Sequence, residues 1–324
     1  MNRVLRLLRA LSPLLLLTGL GPVHADANKT PPAQDCPPTA QAPSADQVEK
    51  ARAAAKDRGA LWRLRKEGRT SYLYGTVHVG KLEWAFPGPQ LQKALAETEV
   101  LALEIDISAP GFLTEFQQAQ QRAAPLTLSE GEQQRLDAQA DAACLPRGAL
   151  ATLHPAMQAI TYASLAGRRD GLDPAYAQEA MLLGAARSLN RPVVSLESVG
   201  SQLAVLLPSD PLRVRWLLRQ TLDALERQET RGALRTMGQA WEKGDLATLG
   251  DAAKLCQCTP SAEEQAFQRR LNDERNGPIA ERIAQEHAKG KPLLAAVGTL
   301  HMTGPKALPK LLEGLGFQVE RVKY

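Results

Sequence analysis

The sequence predicts an α/β fold built of two related halves with long helical insertions. Two observations carry that reading. Short apolar or alternating segments recur between long helix-patterned stretches, as in a sheet whose strands are joined by helices. Four of those segments also end alike in pairs: Gly-Thr-x-His closes residues 75–78 and 298–301, and Leu-Glu closes 103–104 and 196–197.

Taken in order, residues 1–25 have arginines at 3, 6 and 9, a leucine-rich run and a Val-His-Ala ending, the pattern of a cleavable signal peptide. Cleavage there removes three arginines and no acidic residue, taking the formal charge from +4 to +1. The basic balance therefore sits in the leader, and no basic tract points to nucleic acid. No later run is apolar enough for stable membrane insertion, so the chain reads as periplasmic or secreted. Residues 26–45 are proline-rich and aperiodic, a tether. Residues 46–324 then form one domain of ordinary globular composition, 44% hydrophobic and 23% charged.

Within that domain, 46–59 is a short helix, and 60–78 a hairpin turning at Glu67-Gly68-Arg69. "FPGPQLQKALAETEV" is a helix and "EVLALEID" an apolar strand. Residues 110–190 are helical in pattern, "RPVVSLES" is a strand, and about 200–290 is helical again. "KPLLAAVGTLHMTGP" holds a buried strand, "KALPKLLEGLG" a helix, and "FQVERVKY" a last alternating strand. The four cysteines, Cys36, Cys144, Cys256 and Cys258, predict structural disulfides in an oxidising compartment. Cys144 with Cys256 or Cys258 is the expected bridge.

The strand ends carry the chemistry. His78, Glu104, Glu197 and His301 each follow a strand, and the crevice beyond strand carboxyl ends is where open α/β sheets bind ligands. Two imidazoles and two carboxylates suit a divalent cation such as Mn, Co, Zn or Fe(II), with one Glu left as general base. Without a metal, a Glu–His pair could still transfer protons. The helical His-Glu-x-x-His signature is absent. His154 and His287 read as structural. Arg275-Asn276, in the helix before the strand that precedes His301, read as an anchor for an acidic cluster or a substrate carboxylate.

With "LWRLRKEGRTSYLYGTVHVG", "LALEID", "GLDPAYAQEAMLLGAARSLNRPVVSLESVGSQL", "ERN" and "LAAVGTLHMTGPKALPKLLEGLGFQVERV", residues 58–324 resemble the TraB/GumN family, which includes the Tiki proteins. The resemblance implies an erythromycin-esterase/ChaN-like fold: two pseudo-symmetric halves, a mixed sheet and helical insertions. It also implies divalent-metal-dependent proteolysis of a peptide or protein substrate. His78, Glu104, Glu197 and His301 would be metal ligands, and Glu104, Glu197, Arg275 and Asn276 catalytic residues. Two other readings stand beside the hydrolase. One is a non-catalytic periplasmic protein binding a metal, a haem-like ligand or a peptide. The other is an envelope accessory factor related to polysaccharide export.

Overall fold

The computed structural model describes residues 35–324; the expected signal peptide and the start of the tether lie outside the described residues. Six strands form a single sheet in the order β4-β3-β5-β2-β1-β6. They are β1 Ala60–Lys66, β2 Arg69–Thr76, β3 Val100–Leu103, β4 Val193–Ser195, β5 Leu293–Gly298 and β6 Gln318–Arg321. The β1–β2 and β1–β6 pairs are antiparallel, and β2–β5, β5–β3 and β3–β4 are parallel, so the sheet is mixed. The hairpin is one residue tighter than the sequence suggested. Lys66 pairs with Arg69, and Glu67 and Gly68 both take positive φ, as a two-residue turn matched to strand twist requires.

Strands from the first and second halves of the sequence share this sheet. β5, from the second half, lies between β2 and β3 of the first. Period-two alternation gives each strand two apolar faces. Tyr72, Tyr74, Leu101, Leu103, Leu294 and Ala296 pack on one face with Trp84, Trp241 and Leu182. Leu73, Ala102, Leu293, Ala295 and Val297 pack on the other with Ile279, Ile283 and Leu308. Thus the helix Gln178–Ser188 covers one face, and the helix Asp273–Ala288 covers the opposite one.

A further group of helices builds a core of its own. Phe116, Leu136, Tyr162, Leu203, Val214, Leu218 and Leu222 join segments inserted after β3 and after β4. No helix among the described residues is long and apolar enough to cross a membrane.

The cysteines correct the expected pairing: Cys36 bonds Cys144, and Cys256 bonds Cys258. Two local causes decide it. Gln257 takes the left-handed conformation at φ 54°, which turns the chain back and leaves the Cα atoms of Cys256 and Cys258 5.1 Å apart. Meanwhile the segment from Asp35 is held along the helical insertion. Asp35 pairs with Arg169 at 2.9 Å, and the Ala40 N–H donates to Asp173 Oδ2 at 3.2 Å. That contact carries Cys36 to the end of the helix Glu130–Ala142, where Cys144 waits.

Candidate functional site

Because β2, β3, β4 and β5 run parallel, their carboxyl ends fall on one edge of the sheet. Thr76 pairs with Gly298, and Leu103 pairs with Ala296 on one side and Ser195 on the other. His78, Glu104, Glu197 and His301, separated by up to 223 positions in the chain, therefore follow neighbouring strand ends. The glycines have a steric reason. A Cβ on Gly75 would stand 2.9 Å from Thr299 Oγ1, so a glycine here lets the two Gly-Thr-x-His turns lie this close side by side. Trp241 Nε1 donates to the Gly75 carbonyl at 2.8 Å and holds that turn in place.

Arg275 links the two carboxylates. Its Nε donates to Glu197 Oε2 at 2.9 Å, its Nη2 to Glu197 Oε1, and the same Nη2 to Glu104 Oε2 at 2.8 Å. Glu104 Oε2 also accepts from Gln202 Nε2 at 3.0 Å, and Oε1 from the Gly298 N–H at 2.7 Å. The two acids are driven apart. Burial pushes the Glu104 carboxyl up, but His301, His78, Arg275 and the Gly298 N–H outweigh it and hold it at about 2. Burial also raises Glu197, and there Arg275 does not fully offset it. Two neighbouring carboxyls shifted in opposite directions are a recurrent acid/base arrangement.

Each imidazole is oriented through its Nδ1. Asn276 is fully buried and donates from Nδ2 to the His301 carbonyl at 3.2 Å and the Lys306 carbonyl at 2.8 Å. Both amide protons being used, Asn276 Oδ1 faces the ring as an acceptor, so His301 Nδ1 carries the proton. The lone pair is then on Nε2, which lies 4.0 Å from Glu104 Oε2. Burial pushes His301 down to about 4, keeping the ring neutral at neutral pH. His78 differs: its side chain is 70% exposed and its Nδ1 stands 3.1 Å from Glu179 Oε1. The Glu179 carboxylate pushes this imidazole above its usual range, though water screens the pair and it adds little to folding.

These groups converge on one small space. A Cβ built on Gly298 would meet Glu104 Oε1 at 3.1 Å, His78 Nε2 at 3.6 Å and His301 Cδ2 at 3.7 Å. Both rings and the Glu104 carboxylate therefore flank Gly298. Residues 60–321 match the TraB/PrgY/gumN family. The chain belongs to this family. No curated protein and no solved structure matches it.

The family match spans every residue of the site, from His78 to His301. Of the six residues singled out in the sequence, Glu104, Glu197, Arg275, Asn276 and His301 are linked by contacts of 4.0 Å or less, and His78 faces them across Gly298. His154 and His287 lie outside it: His154 caps the helix Pro155–Leu165, and His287 is buried between Ser71 Oγ at 2.8 Å and the Lys66 carbonyl at 3.1 Å. The structure adds Glu179, Gln202 and Gly298. Gln202 and Gly298 sit inside the quoted motifs, one turn beyond Glu197 and at the second glycine. Glu179 also lies inside a quoted motif, but as one acid in a helix 101 positions from His78 it carried no chemical signal of its own.

Proposed function

We propose that this protein is a divalent-metal-dependent hydrolase of the cell envelope, acting on peptide or protein substrates. One observation carries the reading. Both imidazoles are held through Nδ1 by an acceptor, and both present their other edge to the space beside Gly298 and Glu104. Metal-binding histidines are typically oriented in this way. Neutral His301 and ionised Glu104 are in the protonation states that a cation requires, whereas His78, raised by the Glu179 carboxylate, must give up its Nε2 proton as the ion binds.

The donor set fits Mn, Co or Zn in type: His78, His301 and Glu104 would hold the ion, with Glu197 the remaining acid. The side chains stand farther apart than metal bonds of ~2.0–2.2 Å, and no group of three among the described residues is closed into a cage. When bound, the ion would supply a Lewis acid and activate water. The chain's own residues do the rest. Glu197, raised by burial, is suited to take up and return a proton. Arg275 fixes the distance between the two acids and keeps their combined charge tolerable in a buried setting. His78, at the exposed end, gives the site its opening to solvent. Export fits two disulfides and the N-terminal leader pattern.

One feature favours the non-catalytic binding reading: Arg275 occupies both oxygens of Glu197 and one of Glu104, leaving neither acid free. Metal affinity and peptide-library cleavage with added Mn, Co or Zn separate the two. His78→Ala and His301→Ala are expected to abolish metal binding. Gly298→Ala, whose methyl group fills the shared space, should weaken it at least ~10-fold. Glu197→Gln should spare metal affinity and lower turnover about 100-fold. Wild type that binds no divalent ion defeats the hydrolase proposal. Metal binding without cleavage of any peptide favours the binding protein.

A further inference from the structure

Glu179 is held at the strand edge more firmly than a surface acid needs to be. It lies in the first turn of the helix Gln178–Ser188, and Gln178 locks that turn in place. The Gln178 N–H donates to the Val77 carbonyl at 3.2 Å, its Nε2 donates to the Trp84 carbonyl at 3.1 Å, and the residue is 1% exposed. Thr76, the last residue of β2, donates its hydroxyl to Glu179 Oε1, the oxygen that also faces His78 Nδ1 at 3.1 Å. Glu179 Oε2 is buried and has no hydrogen-bond partner. A buried carboxylate oxygen left unpaired is costly. A side chain serving the fold alone would be expected to use both oxygens, whereas this one concentrates its contacts on the oxygen that meets the imidazole.

We infer that Glu179 is a positioning residue for His78. By accepting the Nδ1–H it fixes the ring so that Nε2, 3.6 Å from the point where a Gly298 Cβ would stand, faces the space shared with Glu104 and His301. Asn276 does the same for His301 from the opposite face of the sheet. The two imidazoles are thus set by one acceptor each, a carboxylate on the exposed ring and an amide on the buried one. The consequence for ligand binding rests on the metal reading above; the orientation of His78 does not. The competing account is that Glu179 is an ordinary first-turn acid favoured by the helix dipole, which affects stability alone.

The test uses the mature chain with 15N-labelled histidine, as wild type, Glu179→Gln and Glu179→Ala. In the metal-free protein, the His78 Nδ1–H resonance should be detectable at low temperature in wild type and in Glu179→Gln, which keeps an acceptor oxygen, and should be lost to solvent exchange in Glu179→Ala. Mn2+ titrated alone should bind Glu179→Ala 10–100-fold more weakly than wild type, with Glu179→Gln between them. An unchanged His78 signal in Glu179→Ala, or Mn2+ binding all three proteins equally well, overturns the inference. Wild type that binds no Mn2+ while Glu179→Ala still loses the Nδ1–H supports the positioning of His78 and defeats the metal reading instead.

Discussion

Asn276 grips His301 at two places, taking the ring Nδ1–H on its Oδ1 and donating its Nδ2 to the His301 carbonyl at 3.2 Å. The amide is fully buried, so its loss strands the ring nitrogen and two carbonyls. Asn276→Ala should cost roughly 2–3 kcal/mol of stability. Asn276→Asp should cost at least as much at neutral pH, because a carboxylate then faces two carbonyl oxygens. Urea unfolding measures both, and an Asp variant as stable as wild type would contradict the tautomer assigned to His301.

Arg275 gives a prediction with a pH signature. Arg275→Met leaves Glu104 and Glu197 buried together without their cation, at a cost of about 3–5 kcal/mol near neutral pH. In the variant Glu197 rises further above its unfolded value, and Glu104 loses one of the groups that hold it low. The Glu197 contribution is then present at low pH and lost as pH increases, and Glu104 has less stabilisation to lose on acidification than in wild type. The deficit relative to wild type should therefore shrink between about pH 7 and about pH 4. Denaturation curves at both ends decide it, and a deficit that grows on acidification rules out this account of the acidic pair.

His301 and Glu104 shape the acid limb of wild type in the other direction. His301 is depressed from 6.5 to about 4, so its contribution is complete above the unfolded value and fades as pH drops through that window. The loss from this residue is at most about 3 kcal/mol. Glu104, held at about 2, adds a further loss only below the ordinary carboxylate range. With a chelator present, His301→Gln should flatten the slope between about pH 6.5 and about pH 4. Equal slopes in the two proteins would show that the buried ring does not remain neutral.

The disulfides should differ in weight. Cys36–Cys144 closes a loop spanning 108 positions and constrains the unfolded chain by roughly 4–5 kcal/mol, whereas Cys256–Cys258 spans two positions and is worth roughly 1–2. Thermal melts of the two double Cys→Ser variants should rank accordingly. The reverse order would mean that the Asp35–Arg169 and Ala40–Asp173 contacts hold the N-terminal segment without the bridge.

By itself the sequence determined the strands, their polar ends and the helical character of what lies between. These are local properties: alternation in Tyr72-Leu73-Tyr74, the apolar run through Leu293-Leu294-Ala295, and glycine where the chain turns at a strand end. Strands ending in His78, Glu104, Glu197 and His301 were legible for that reason, and so was their meeting at one edge once those strands ran parallel. Tertiary structure alone decided the rest. Nothing near β5 says that it lies between β2 and β3, because strand order depends on which apolar faces the helices Gln178–Ser188 and Asp273–Ala288 cover. Cysteine spacing could not show that Gln257 turns back in the left-handed region or that Asp35 docks on Arg169, and those two contacts chose the bridges. Composition could mark Arg275 as a cation near acids, but its hold on both Glu104 and Glu197 needs a helix on one face of the sheet to reach across two strand ends. Glu179 was invisible for the same reason. Its role comes from packing against His78, and packing between residues 101 positions apart leaves no periodicity to read.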